Sequence, residues 1–295
     1  MLCGVSAQTS DTPSTATFRS DVTEVRLTFS ATDQNDRVLG NVQPSDFAIV
    51  DQDMVVRDFR SFVHSEYTDL DLAVLVDASA SIPPQFRKEL ANAVQIIAQN
   101  DRVPVESFSV VSFHDLNPTV VCEGVCRANN TEAQLSAIGS GGLTPLYDAI
   151  VLTSRILARR GRARGDGLHV KKIVILFSDG ADTVSLNSFT DAMESALDND
   201  VAIYSVDVSR RPHSPGGMVL SSFSSNTGGR YFPIEVGMSN VLDAIFEDFH
   251  AAYMVTYKLP NRAAGFHLVR VLPTHNLSLQ FHCRRGYYYP SSPGN

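Results

Sequence analysis

The stretch "LAVLVDASASIPPQF", residues 72–86, drives five apolar residues into an aspartate, sets two serines on alternate positions after it, and reaches a proline pair. A continuous apolar run of this kind is the mark of a parallel strand covered on both faces. Pro83 and Pro84 suit a helix start, where the missing N–H would have no partner anyway. Behind them Phe86, Leu90, Val94 and Ile97 fall on one helical face. Between strand and helix the chain passes through Asp77, Ser79 and Ser81, three small oxygen-bearing side chains.

The same alternation continues downstream. "VESFSVVSF" (105–113), "KIVILF" (172–177) and "VAIYSVDV" (201–208) read as further strands. Leu146, Ala149, Ile150, Thr153 and Leu157 mark a helical stripe, and helices also fit 188–198 and 239–252. Strands alternating with helices specify an α/β unit with a doubly wound, mostly parallel sheet.

The two ends of the chain read differently. "VTEVRLTFSA" (22–31) alternates apolar and polar residues, and "DFAIVDQDMVVRDFRSF" (46–62) reads as two strands around the turn Asp51-Gln52-Asp53. That acidic turn lacks the glycine and terminal glutamate of an EF-hand loop. From Tyr253 the chain returns to strands, "YMVTYKL", "HLVRVL", "LSLQFHC" and "RRGYYYP". The expected organisation is a tail or signal-peptide remnant over 1–20 and an α/β domain over 67–252. Residues 21–66 and 253–290 would be the halves of one small β-sandwich, since two or three strands alone are marginal.

Composition bounds the function. The 295 residues are 43% hydrophobic and carry a formal net charge of −8, which argues against a general nucleic-acid binder. No apolar run approaches the ~18 residues of a membrane span. Val5, Ser6 and Ala7 precede a Ser/Thr-rich stretch like the end of a secretory signal whose basic and long apolar regions are missing. Export is therefore expected, to the periplasm, the cell surface or the medium. Cys122 and Cys126 form a C-x3-C pair in what reads as a hairpin tip, with no second Cys or His pair spaced to complete a zinc site. A local disulfide in an oxidising compartment is expected, leaving Cys283 a free thiol.

Ligands of an open parallel sheet bind beyond the carboxyl ends of its strands. Asp77 ends "LAVLVD", Asp179 ends "KIVILFSD", and the Gly-rich "GSGGLTPLYDA" carries Thr144 just before a helix. Two carboxylates with three hydroxyls, and no His or Cys, favour a hard cation such as Mg²⁺ over Zn²⁺. So few charged ligands would leave the ion taking water, or an acidic group from a partner.

"DASAS", the threonine of "GGLTPLYDA" and "FSDGAD" resemble the D-x-S-x-S, Thr and Asp elements of the von Willebrand factor A domain. In that family these elements form a metal-ion-dependent adhesion site. The resemblance implies metal binding by Asp77, Ser79, Ser81, Thr144 and Asp179, some directly and some through water, with Mg²⁺, Mn²⁺ or Ca²⁺ as the ion. It implies a protein partner that presents Asp or Glu to the metal. The flanking segments "TDQNDRVLGNVQPSDFAIVDQD", "TGGRYF" and "YMVTYKLP" resemble the bacterial von Willebrand factor A-related family described from acidobacteria, over about residues 20 to 290.

The competing reading is a periplasmic assembly factor or enzyme-accessory subunit that uses the metal structurally. A Mg²⁺-dependent hydrolase ranks below it, because the sequence has no Walker loop, no G-x-S-x-G elbow and no H-E-x-x-H. Five arginines between Arg155 and Arg164 read as a solvated helix end. No cofactor other than the metal is expected.

Overall fold

The computed structural model describes residues 24–64, 69–99, 105–124, 126, 141–163, 170–209 and 214–289. The expected tail over 1–20 lies outside them. At the centre is a six-stranded sheet of β5 (Asp69–Asp77), β6 (Val105–His114), β7 (Asn117–Cys122), β8 (Val170–Ser178), β9 (Val201–Asp207) and β10 (Tyr231–Pro233). Its order is β10-β9-β8-β5-β6-β7, all parallel except β7, which returns antiparallel along one edge. The chain starts at β5, builds outward through β6, then crosses back to β8 on the other side. The strand order therefore reverses between β5 and β8, where a doubly wound sheet opens a crevice at its carboxyl edge.

Both faces of this sheet are covered, as the unbroken apolar strands require. Leu70, Leu72, Val74 and Val76 of β5 face helices α1 (Pro84–Ala98) and α5 (Met238–Ala251). Ala73 and Leu75 face the opposite layer, formed by α2 (Leu146–Ala163), α3 (Phe189–Asp198) and α4 (Pro215–Thr227). The period of two along one strand thus sends alternate residues into two separate cores.

The remaining strands are β1 (Glu24–Thr32), β2 (Phe47–Asp51), β3 (Met54–Val56), β4 (Phe59–His64), β11 (Tyr253–Lys258), β12 (Gly265–Pro273), β13 (Gln280–Cys283) and β14 (Gly286–Tyr289). They form two antiparallel four-stranded sheets, ordered β13-β1-β11-β4 and β14-β12-β2-β3. Leu27, Phe29, Ile49, Val255, Tyr257 and Val269 of the two sheets belong to one apolar cluster. Within it Asp51 is fully buried and accepts hydrogen bonds from the hydroxyls of Tyr257 and Tyr287, each 2.8 Å long.

Three details differ from the sequence reading. The run over 46–62 holds three strands rather than two, because the chain leaves one sheet after Val56 and enters the other at Phe59. The β2–β3 turn closes with Gln52 and Asp53 both left-handed, at φ 49° and 62°, the backbone of a tight hairpin. Helix α4 has no counterpart in the expected elements: its sequence, "PGGMVLSSFSSNT", is glycine- and serine-rich and carries no clear apolar stripe. Cys122 and Cys126 are disulfide-bonded, but at the far end of β7 rather than at a hairpin tip. Cys283 is a free thiol at the end of β13, pushed up to about 11 by burial.

Candidate metal centre

Asp77 is the last residue of β5 and is fully buried. Its Oδ1 accepts the Ser79 amide at 2.9 Å, closing the turn that brings the chain off the strand. Its Oδ2 accepts the Ser178 hydroxyl at 2.7 Å from the end of neighbouring β8. Ser79 and Ser81 join through their hydroxyls at 2.9 Å, with Ser79 buried and Ser81 exposed. The two serines of the D-x-S-x-S spacing therefore form a ladder from the buried carboxylate to the surface.

Burial pushes Asp77 up to about 6, against the hydrogen bonds from Ser79 and Ser178, while the charge of Asp179 raises it further. Asp179 itself is partly exposed, and its Oδ1 accepts the Ala181 amide at 3.0 Å. The turn that follows needs glycine twice. Gly180 has φ 77°, and a Cβ there would lie 2.1 Å from the Gly216 carbonyl oxygen. A Cβ on Gly216 would come 2.0 Å from the Asp179 carbonyl oxygen. The start of α4 thus packs backbone to backbone against the aspartate loop.

Thr144 is buried just ahead of α2 and reaches the site by two routes. Gly141, three residues earlier, bridges Ser79 as a short parallel pair, and the Gly142 amide donates to Asp115 at 3.1 Å. From the other side, the Thr144 amide donates to the Thr183 hydroxyl at 2.8 Å, and the Thr183 amide returns a bond to the Thr144 carbonyl at 2.9 Å. The amides of Tyr147 and Asp148 donate to Asp182 and Ser185 at 3.2 and 3.1 Å. Asp148 replies by accepting from the Leu186 and Asn187 amides at 3.0 and 2.9 Å. Burial alone would raise Asp148, but these amides hold its carboxyl below the usual range. The first turn of α2 is therefore capped by the segment after β8, and the two carriers of Thr144 and Asp179 are tied together.

All five residues singled out from the sequence lie along this edge. Asp77, Ser79 and Ser81 are joined by direct hydrogen bonds. Asp179 is linked through its neighbour Ser178, and Thr144 through Gly141 and Thr183. Ser178, Asp182, Thr183, Ser185 and Asp148 were missed. Ser178 had a signal, a hydroxyl closing the apolar run Ile173–Phe177; the others pair across nearly forty residues and had none. Among the described residues no three His, Cys, Asp or Glu side chains converge as a metal cluster. The donors gathered here are two carboxylates and three hydroxyls, oxygen ligands alone, which fit a hard divalent cation and not a thiolate- or imidazole-seeking one.

A doubly wound sheet with helices on both faces, and small oxygen-bearing side chains on the loops at its switch point, defines a Rossmann-like ligand-binding module. The von Willebrand factor type A domain matches residues 71–247, more than half of the chain, and the chain belongs to that family. Domains of this family generally serve protein–protein interaction or adhesion. No curated protein matches the chain in sequence. Among solved structures, it is similar to proximal thread matrix protein 1 from the mussel byssus, with 17% identity and a TM-score of 0.45 over 68% of this chain and 51% of that one. The chain thus spans about half the length of the mussel protein. An aerotolerance-related membrane protein from Bacteroides fragilis is similar at 11% identity and a TM-score of 0.47, over 61% of this chain and 98% of that one. Among the described residues no helix is long and apolar enough to cross a membrane.

Proposed function

We propose that the chain is a divalent-cation-dependent recognition protein in which Asp77, Ser79, Ser81, Thr144 and Asp179 hold Mg²⁺ and a partner's Asp or Glu completes its coordination. The observation that carries this reading is the state of Asp77. A fully buried carboxylate whose hydrogen bonds among the described residues come from neutral hydroxyl and amide donors, with a second carboxylate raising it further, is costly unless a positive charge reaches it. Exposure of Ser81 and Asp179 supports delivery from solvent, and a position left open to a partner. Bound there, the ion would act as a Lewis acid toward an incoming carboxylate; the chain's own part is to orient the five oxygens and to keep Asp77 dry. We read the protein as non-enzymatic, its function being recognition.

The remaining parts of the reading follow from position and chemistry. The Cys122–Cys126 disulfide favours export to an oxidising compartment. The division into an α/β domain over 67–252 and a sandwich of 21–66 with 253–290 is supported by the shared apolar cluster of the two antiparallel sheets.

The test is a calorimetric titration of the metal-stripped protein with Mg²⁺ and Mn²⁺, beside Asp77→Ala and Asp179→Ala. One ion should bind per chain, and binding should be lost in variants that remain folded. Absence of binding to the folded wild type, alone and with added acetate, refutes the metal reading. Binding that acetate does not affect favours the structural use of the ion over the recognition role.

A further inference from the structure

A polar chamber lies at the amino edge of the parallel sheet, at the opposite end from the metal site. It has a volume of about 80 Å³ and is bounded by β1, the first residues of β8 and β9, the end of α5 and the β13–β14 turn. Water takes ~30 Å³ in the liquid, so this is room for about two or three waters, or for one small oxyanion in their place. Three side chains of the wall each hold a buried polar atom with no hydrogen-bond partner among the described residues: Oγ of Ser30, Oδ2 of Asp248 and Nε of Arg284. The remaining polar atoms of the two ions are committed. Oδ1 of Asp248 accepts from Arg230 at 3.0 Å, while Arg284 donates through Nη1 to Asp200 at 2.7 Å and through Nη2 to the Arg26 carbonyl at 2.6 Å. What remains is a carboxylate oxygen that accepts, a guanidinium N–H that donates, and a hydroxyl that does either. Each is costly if left unmatched, and three around one chamber describe an occupant.

The wall also sets the charge of that occupant. Lys171 lines the chamber, and its buried ammonium donates to the carbonyl of Phe249, another wall residue, at 3.3 Å. Burial pushes Lys171 down to about 7, and an anion beside it would favour the charged form. Arg26, Lys172 and Arg284 line the chamber too, against the carboxylates Asp200 and Asp248, so the wall favours an anion. Lys172 is turned to the Asn199 carbonyl, at 2.9 Å. A fully deprotonated anion would set like charge against Asp248, whereas one that keeps a proton can donate to it. We infer that the chamber binds a small oxyanion still carrying a proton, the class of hydrogen phosphate and hydrogen carbonate, with its hydroxyl on Asp248 and its oxygens toward Arg284 and Lys171. A surface groove of about 510 Å³, walled in part by Tyr287, Tyr288 and Tyr289, shares Arg26, Asp200 and Arg284 with the chamber and gives the ion a route from solvent. The site is separate from the metal centre and does not depend on it. Its ligand would tie β1 and the β13–β14 turn to α5, joining the antiparallel sheets to the α/β unit.

The test is a calorimetric titration of the full chain, freed of metal and of phosphate, with phosphate, hydrogen carbonate and sulfate at pH 7. One proton-bearing ion should bind per chain, at least about tenfold tighter than sulfate, which has no hydrogen to offer Asp248. The tighter of phosphate and hydrogen carbonate is the member of the class that fits the chamber. Asp248→Asn gives the sharpest readout. Arg230 keeps the amide oxygen as its acceptor, so the amide N–H₂ stands where Oδ2 was, and the preference should turn toward sulfate. Ser30→Ala should weaken the proton-bearing ion by about threefold to tenfold, the loss of one hydrogen bond. Lys171→Met should weaken it by about tenfold or more, because a charge-assisted bond is lost. Ser30→Ala removes a single hydroxyl and carries the test if the Asp248 variant does not fold. No saturable binding of either proton-bearing ion would mean that water alone fills the chamber and would overturn the inference. Equal affinity for sulfate, or affinities unchanged in both Ser30→Ala and Lys171→Met, would overturn it as well.

Discussion

Two buried carboxylates at opposite ends of the parallel sheet are treated in opposite ways. Asp248, on α5, lies where the α/β layers meet the antiparallel sheets, and Arg230 donates to it at 3.0 Å. The pair is almost enclosed, with side-chain exposures of 11% for Arg230 and 0% for Asp248, and Arg230 also stacks over Phe232. Asp77, at the carboxyl edge, is as deeply buried, and among the described residues its donors are a hydroxyl and an amide. Burial pushes both carboxyls up to about 6; Arg230 works against it at Asp248, whereas Asp179 adds to it at Asp77. The joint carries its own counter-ion, whereas the described residues supply none at the mouth. The two carboxylates thus differ in their partners rather than in burial.

The comparison breaks most sharply at Arg230. Arg230→Met leaves Asp248 buried without its cation and should cost about 3 kcal/mol in urea unfolding at pH 7.5. Without Arg230 the carboxyl sits higher still, so the ionised form is penalised at neutral pH and relieved as it takes up a proton. The deficit should therefore narrow between pH 7.5 and 5. A deficit independent of pH would mean that Arg230 acts through packing on Phe232 and not through charge.

The same substitution logic should invert at the mouth. Asp77→Asn removes a buried charge that has no counter-ion among the described residues, and in the metal-free protein it should stabilise the fold by about 2 kcal/mol at neutral pH. The sign follows from a folded-state pKa of about 6, above the ordinary 3.8: the ionised group opposes folding above pH 6, and the penalty fades as pH falls toward 4. Wild type and variant should therefore converge near pH 4. Saturating Mg²⁺ should raise wild-type stability by about 3 kcal/mol at a hundred times its dissociation constant, with no effect on the variant. A destabilised Asp77→Asn protein without metal would show that the chain needs this charge for folding, and the contrast with Asp248 would collapse.

The sheet was legible because its two central strands carry the unbroken apolar runs LAVLV and IVILF, and such a run ending in Asp77 or Ser178-Asp179 says where a strand stops and which side chains stand at its end. Helix α4 was not legible, since its stability comes from Leu220 and Phe223 packed against β9 and α3 rather than from periodicity in its own sequence. Caps show the same divide. Helix α3 carries its capping box locally, Ser188 and Asp191 bonding each other's backbone amides three residues apart, and such a box can be read directly. Helix α2 is capped from residues 182–185, nearly forty positions away. A local motif names residues that the fold then sets along one edge, whereas the residues that hold those loops in place act only after the chain has folded back on itself.

That long-range cap gives the smallest predicted effect and the finest test of the contrast between mouth and joint. Thr183→Val keeps the side-chain shape and removes the hydroxyl that accepts the Thr144 amide, which should cost about 1 kcal/mol, the value of a helix cap. The Thr183 amide still bonds the Thr144 carbonyl, so the loop should stay attached while Thr144 loses its fixed orientation. Mg²⁺ affinity should then fall by about threefold to tenfold, the equivalent of roughly 1 kcal/mol, while the Arg230–Asp248 joint is untouched. Thr183→Ser restores the acceptor and should restore both quantities. Loss of stability with Mg²⁺ affinity unchanged would show that the latch serves α2 alone, and that Thr144 reaches the metal site without help from the segment that carries Asp179.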